Sequence, residues 1–502
     1  MLTKPTQHAI VHFLFAHESL RMCSFVRSSA ASLAVSLALL ASNGARAQAS
    51  DPVAARITAQ SLRGHLSFLA SDLLEGRGTP SRGQDLAAEY IAAQFRRAGL
   101  EPAGDDGYFQ TSSWQYAERD MSQFAFHIQA GGKRIEVPAS AVDLRVREAL
   151  SLKDAAVVGM PWAEAMQDAT RADGKLLVLT LPADRRAAYG ELQKFKGKPA
   201  LLVLLDASRK QGSGVNGWLV EEGARRPQDA QRSLVLYDAQ AGAALTGGAS
   251  VTLNVPAPVQ RAVKLRNVVG VLRGSDPKLK DTYVMLTSHY DHLGIRNGDI
   301  FNGANDDGSG TVSVIEIASS LAAQKTRPKR SMVFMTFFGE ELGLVGSRYY
   351  GKHPVFPLKD TVADLNLEQI GRTDDSEGAR VGAANLTGFD YSSMTPVLQR
   401  AGARVGVKLV KHPQNSDRYF AQSDNQSLAD AGVPAHTLSV AYEFPDYHGK
   451  DDDWQKVDYE NMARIDRMVA IGLLAIANDP KAPTWTAAPN AARYLEAAKA
   501  LK

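Results

Sequence analysis

From Arg266 onward the chain alternates apolar runs of buried-strand length with a helical pattern, and side chains that can hold a metal gather near their ends. The runs are residues 268–272, 283–287, 332–338 and 362–367. Between the second and third lie Val314, Ile317, Ala318 and Leu321, at the i, i+3, i+4, i+7 spacing of one helix face. Strands alternating with helices imply an α/β fold, with a mixed, mostly parallel sheet covered by helices on both faces. In such sheets sites form beyond the carboxyl ends of the strands.

Five segments fall at those places. Ser288-His289-Tyr290-Asp291-His292 follows the second run, and Asp291 stands two residues after His289, where it can orient the imidazole. Asn302-Gly303-Ala304-Asn305-Asp306-Asp307-Gly308-Ser309-Gly310 is a glycine-rich loop able to hold a carboxylate between two cations. Gly339-Glu340-Glu341 ends an uncharged run, and paired carboxylates there are costly unless something positive lies between them. One can bind metal while the other takes a proton from water. Strand alternation puts Asp364, Asn366 and Glu368 on one face, with Glu368 at the carboxyl end. The fifth segment is Tyr447-His448, ahead of Asp451, Asp452 and Asp453.

Singly, each segment has a plain alternative. A lone histidine is more often a core or surface residue, and so His292, His353, His412 and His436 are read. Glu340-Glu341 alone is a solvated helix start, and Asn305-Asp306-Asp307-Gly308 alone is a turn. Jointly they supply two histidines, three carboxylates and a spare base, a set that suits two zinc ions about 3.5–4 Å apart. The sequence has no His-Glu-x-x-His, Walker loop or Gly-x-Ser-x-Gly.

The rest of the chain sets the context. Its 502 residues exceed what one core usually serves, so two domains are expected. A formal net charge of +3 gives no reason to expect nucleic acid as a partner. Arg27, the apolar residues 30–41 and Ala45-Arg46-Ala47 (or Ala47-Gln48-Ala49) follow the order of an export signal, with Met22 as its natural start. The apolar run is too short for a stable membrane anchor. The one cysteine, Cys23, falls inside this signal region, 1–49, so a metal site must be built from histidine and carboxylates. The expected location is the bacterial periplasm or the medium.

Residues 50–119 read as two helices. One is capped by Ser61 and buries Leu62, Leu66 and Leu69; the other turns Leu86, Tyr90, Ile91 and Phe95 inward and stops at Gly99. Residues 120–261 differ in texture. Short β-rich runs at 155–160, 175–181, 200–205, 233–237 and 251–255 suggest an inserted, mostly β domain without clustered catalytic residues. The metal-bearing part is then 262–485, with a tail at 486–502.

These motifs, in this order, resemble the co-catalytic zinc aminopeptidase family that also contains glutamate carboxypeptidase and glutaminyl cyclase. The likeness spans about residues 55–115 and 262–475 and includes Leu69-Ala70-Ser71-Asp72 with Glu75-Gly76-Arg77-Gly78. The resemblance implies a zinc exopeptidase fold and two Zn2+ per chain. His289 and Glu368 would hold one ion, Glu341 and His448 the other, and Asp306 would bridge them, with a cis Asp306–Asp307 bond. It implies Glu340 as general base, Asp291 as the group orienting His289, and Tyr447 as an oxyanion donor. Peptides would be the partners, and removal of N-terminal residues the reaction. A carboxypeptidase, with Arg372 facing the substrate carboxylate, a glutaminyl cyclase and a receptor-like binding module are the alternatives. Two departures stand out. The family usually has Asp at the position of Glu368, and Ser-Asp-His where this chain has Ser423-Asp424-Asn425. Gly174-Lys175 and Lys198-Pro199-Ala200, each before a strand, make the insert similar to a protease-associated domain.

Overall fold

The uncharged runs become neighbouring strands of one large sheet. In the computed structural model, residues 52–221 and 232–501 are described; the expected signal, Met22 and Cys23 lie outside the described residues. The sheet's strands are β1 (Phe109–Glu118), β2 (Gly217–Glu221), β3 (Val259–Leu272), β4 (Tyr283–His289), β5 (Ser331–Phe337), β6 (Thr361–Leu367), β7 (Ala383–Leu386), β8 (Lys408–Val410) and β9 (Ala435–Ser439). Their order is β8-β7-β9-β6-β4-β5-β3-β1-β2, and the short strand Glu101–Pro102 pairs with β3 as the tenth. Parallel pairing is concentrated at the centre, where β4 pairs with β5 and β6, and β6 with β9. The wing from β5 through β3 and β1 to β2 is antiparallel.

Alternation along β4 and β5 explains why they carry no acidic or basic residue before His289. Val284, Leu286, Met332 and Phe334 enter one core, while Met285, Val333, Met335 and Phe337 enter another on the opposite face. The first face is covered by helices α1 (Ala59–Leu69), α2 (Arg82–Ala98), α3 (Gly310–Ala322), α5 (Thr395–Val405) and α7 (Tyr459–Asn478). The second is covered by α4 (Val345–Lys352), α6 (Asn425–Asp430) and α8 (Ala492–Leu501). Each large apolar side chain so buried contributes roughly 1.5–3 kcal/mol over exposure.

Several sequence expectations shift in detail. The cap of α1 is Thr58, whose side chain accepts the Ser61 N–H at 3.2 Å. In α2 the buried face is Gly83, Ala87, Ala88, Ile91, Ala92 and Phe95, with Tyr90 only part-buried and Leu86 40% exposed. The small residues explain the rotation. A Cβ on Gly83 would stand 1.8 Å from the Leu74 carbonyl oxygen, so the helix approaches on its small-residue side. Gly99 ends the helix in the left-handed conformation, as expected. The expected tail at its end is helix α8, whose Tyr494 stacks on Trp485 at 5.1 Å.

Residues 125–255 supply an eight-stranded sheet with apolar clusters of its own. All five expected runs are strands there, at Leu150–Gly159, Leu176–Thr180, Leu201–Leu205, Ser233–Leu236 and Ser250–Val255. The region is less purely β than its sequence suggests, because Trp162–Gln167, Arg185–Leu192 and Ala239–Ala244 are helices. It is also tied to the main sheet, since β2 lies along β1 with Tyr116 opposite Leu219. No helix among the described residues is long and apolar enough to cross a membrane.

Candidate metal centre

The parallel register brings three strand ends level. His289 ends β4 opposite Phe337 of β5, and Thr287 lies opposite Asn366 of β6. Glu340 and Glu341 therefore follow β5, and Glu368 follows β6, at the same edge as His289. The glycine-rich loop crosses this edge, and its Asp306–Asp307 peptide is cis.

Buried acids in and around that loop hold backbone rather than solvent. Asp307 accepts the N–H groups of His289 (3.3 Å), Gly310 (3.0 Å) and Gln369 (3.2 Å), joining the ends of β4 and β6 to the start of α3. Asp452 accepts the N–H groups of Asn305 and Asp306 at 3.0–3.1 Å. Asn305 Oδ1 accepts those of Gly371 and Arg372. With the backbone fixed this way, the Asp306 carboxylate is left to face the histidines.

Two groups of side chains then offer ligand atoms within 4.8 Å of one another: His289, Asp306 and Glu368, and His292, Asp306 and Glu341. His289 Nε2 is 3.4 Å from Asp306 Oδ1, and His448 Nε2 is 3.1 Å from Asp306 Oδ2 and 3.4 Å from Glu341 Oε2. All five expected ligands thus converge, with Asp306 common to both sides. His289 Nδ1 is 3.1 Å from the carbonyl oxygen of Asp291, an acceptor only, so Nδ1 carries a proton and Nε2 is the nitrogen turned toward Asp306. His289 Nε2, His292 Nδ1 and Glu341 Oε1 are buried without hydrogen-bond partners. Orphaned nitrogen and carboxylate atoms pointing into one space are what a zinc site requires.

The electrostatics agree. Burial, reinforced by Glu368, Glu341 and Asp424, pushes the Glu340 carboxyl well above the ordinary range despite His289. Burial and Asp306 likewise push Glu368 up to about 7. Against burial, the Asp306 hydrogen bond and the charges of Asp306 and Glu341 raise His448 to about 9. So many carboxylates compete for positive charge that the histidines alone cannot supply it.

The other site residues lie close by. Glu340 Oε2 is 3.9 Å from His289 Nε2, and the Glu340 N–H donates to Asp291 Oδ1 at 3.1 Å. Asp291 orients His289 differently from the expectation. Its carboxylate stands 3.7 Å from Nδ1, and the contact within hydrogen-bond range is its main-chain oxygen. The reason is competition, because the carboxylate is engaged by the Glu340 N–H and by Thr79 Oγ1 at 3.0 Å. Tyr447 stacks on His448 at 4.0 Å and is about half exposed. Partial burial and the negative field of Asp306, Glu368, Glu341 and Glu340 keep its phenol protonated. Beside Glu368 and Tyr447 opens a cavity of about 450 Å³, lined also by Ser423, Thr437, Tyr442 and Phe444.

Of the four histidines read as plain core or surface residues, three are so. His436 is buried between Thr387 O and Ser392 Oγ, and burial lowers it to about 4. His412 binds Glu377 and the N–H groups of Gln414 and Asn415. His353 follows α4. His292 is the exception, since it belongs to the second ligand group. Arg77 also does more than a loop residue would, because its buried guanidinium donates to Leu69 O, Tyr290 O, Asn302 O and Gly303 O. At the position where the resembled family has histidine, Asn425 joins Phe420 O to Thr437 Oγ1, a structural task.

Residues 267–471 match the family described as Peptidase family M28. A probable zinc metalloprotease of Pyricularia oryzae is 27% identical over 357 residues, which is 60% of this chain and 65% of that protein. Aminopeptidase YwaD of Bacillus subtilis is 25% identical over 249 residues, 48% of this chain and 51% of that one. The chain thus spans less than two thirds of the length of either relative. Among solved structures, an aminopeptidase from Aneurinibacillus sp. strain AM-1 has a TM-score of 0.61 at 18% identity, over 87% of this chain and 98% of that one. This is a likeness of fold.

Proposed function

We propose, from the premise that residues 267–471 are a peptidase family M28 domain, that the protein is a two-zinc exopeptidase that removes residues from peptide N-termini. The observation that carries this reading is the pair of ligand groups sharing Asp306, with Glu340 beside them. His289 and Glu368 would hold one ion, Glu341 and His448 the other, and Asp306 both. Bound there, zinc supplies an acidified water and polarises the scissile carbonyl. Glu340 takes the water proton and delivers it to the leaving amine. Its position suits this, being near His289 and fixed through its N–H by Asp291. The protonated Tyr447 phenol donates to the developing oxyanion. The cavity beside Glu368 receives the terminal side chain of the peptide.

Arg372 favours an aminopeptidase over a carboxypeptidase. A carboxypeptidase needs a cation free to meet the substrate carboxylate. Arg372 is 4% exposed and is held by Asp374 (2.5 and 2.7 Å) and Asp446 (2.8 Å). Export to the periplasm or medium belongs to this reading and is supported by the order of Arg27, the apolar run and the small residues after it.

Aminoacyl-nitroanilides, N-blocked peptides and C-terminally blocked peptides, assayed with zinc and with chelator, test it. Hydrolysis of free-amine substrates and C-blocked peptides, abolished by chelation, is expected. Full turnover by a metal-free protein rejects the zinc reading, and preference for N-blocked substrates rejects the aminopeptidase reading.

The assignment of Glu368 over Asp364 has its own test. Strand residues rise roughly 3.3 Å each, so Asp364 lies about 13 Å deeper, too far to share an ion with His289. Asp364 instead accepts from Thr287 Oγ1 at 3.0 Å, and burial lifts its carboxyl to about 8. Glu368→Ala is expected to lose one zinc, while Asp364→Asn keeps both, as read by metal analysis of the purified proteins. The reverse result would place the wrong carboxylate at the site.

A further inference from the structure

His292 has a geometry that a satisfied core histidine does not have. It is 1% exposed, and neither ring nitrogen has a hydrogen-bond partner among the described residues. Yet Nδ1 lies 2.8 Å from Glu341 Oε1, itself without a partner. Two electron-rich atoms that close, with no hydrogen directed between them, repel unless a cation draws both in. Ligands held 2.0–2.2 Å from one tetrahedral zinc lie roughly 3.3–3.6 Å apart, so the pair has to open by only about half an ångström to take one between them. His436 and His412, by contrast, have ordinary hydrogen bonds at both ring nitrogens.

The ring is also held in place. Gly303 has a positive φ of 54°, and a Cβ there would stand 2.2 Å from His292 Cγ, so the loop yields its side-chain space to the imidazole. On another side, His448 meets it edge-on at 5.8 Å. The two histidines approach opposite oxygens of one carboxylate, His292 at Glu341 Oε1 and His448 at Oε2.

Resting on the two-zinc reading above, we infer that His292 is a further metal ligand, making the Glu341 side a closed site of His292, His448, Asp306 and Glu341. The other side then has only His289, Asp306 and Glu368. Four protein ligands characterise structural zinc, whereas catalytic zinc keeps a position open. The two positions are therefore unequal. The Glu341-side ion is the tightly held one, and the open coordination falls on the His289 side, beside Glu340 and the cavity at Glu368.

X-ray absorption at the zinc edge of the purified holoenzyme tests this directly, together with zinc affinity measured by chelator competition on the wild type and His292→Gln. Three imidazoles shared between two ions are expected in the wild type, and two in His292→Gln. The variant should bind one zinc more than about 100-fold more weakly, beyond the 10–100-fold typical of losing an outer-sphere partner. Two zinc ions with only two imidazoles in the wild type overturn the inference and leave the two-zinc reading standing. A His292→Gln variant that keeps both affinities within that range does the same. A wild type that binds no zinc overturns both. Should the variant fail to fold, the wild-type imidazole count still decides.

Discussion

Glu340→Gln is expected to lower kcat by roughly 10²–10⁴-fold, the contribution typical of general acid–base catalysis, while zinc content stays at the wild-type level. The substitution keeps the shape of the side chain and removes its basicity. The backbone of Glu340 is held independently, by the hydrogen bond from its N–H to Asp291 Oδ1, so the amide should occupy the same place. The carboxylate is placed for proton transfer. It is 3.9 Å from His289 Nε2, and its side chain is 13% exposed, more open than those of Asp306 at 3% and Glu341 at 7%. It belongs to neither ligand group, although its sequence neighbour Glu341 does. That separation makes the experiment decisive. Activity and zinc lost together would mean that Glu340 is a ligand, and unchanged activity would mean that the base lies elsewhere. Metal analysis and steady-state kinetics on the same preparation distinguish these results.

The strands and the candidate ligands are legible in the sequence because both follow from one physical constraint. A strand covered on both faces carries few ionisable residues before it ends, buried Asp364 being the exception, so the polar residues that close each run mark the edge where a site forms. That logic locates His289, Glu340, Glu341 and Glu368, and the helix following the glycine-rich loop locates Asp306. It works less well where small residues decide the packing. In α2 the apolar periodicity favours Leu86, but contact is made through Gly83, Ala87 and Ala88, whose value lies in what they lack. The pairing of β2 with β1 is illegible for another reason, because a five-residue strand gives no sign of which sheet it joins.

His292 shows where residue-by-residue reasoning runs out. Taken alone, a histidine three places after a candidate ligand is most often a packing residue. The information that changes this is relational. Glu341 comes from the end of β5, Gly303 leaves room for the ring, and neither fact is near His292 in sequence. Asp291 teaches the same lesson from the opposite direction. Its place beside His289 follows from the sequence, but which of its oxygens faces the ring depends on Thr79 and Glu340 occupying the carboxylate.

Arg77 is the least legible, because a charged residue in a glycine loop looks like a surface residue, and it should have the largest effect on stability. It is 1% exposed, and burial lowers its pKa to about 10 although Asp291, Asp452, Asp307 and Asp306 oppose the shift. Its fork ties three segments together: Leu69 at the end of α1, Tyr290 just after β4, and Asn302 with Gly303 in the metal loop. Hydrogen bonds from charged groups contribute roughly 1.5–3 kcal/mol each, and buried acceptors left unmatched cost more than a surface loss. Even with strong non-additivity, Arg77→Met should destabilise the protein by about 4 kcal/mol or more, with a clear fall in the urea midpoint. Zinc retention should fall with it, since the loop carrying Asp306 loses two of its anchors. Arg77→Lys separates charge from geometry. A lysine keeps the positive charge among the four aspartates but cannot spread donors over four carbonyls in a plane. It should be nearly as unstable as Arg77→Met. If lysine instead restores the wild-type midpoint, the aspartates' field matters and the fork does not.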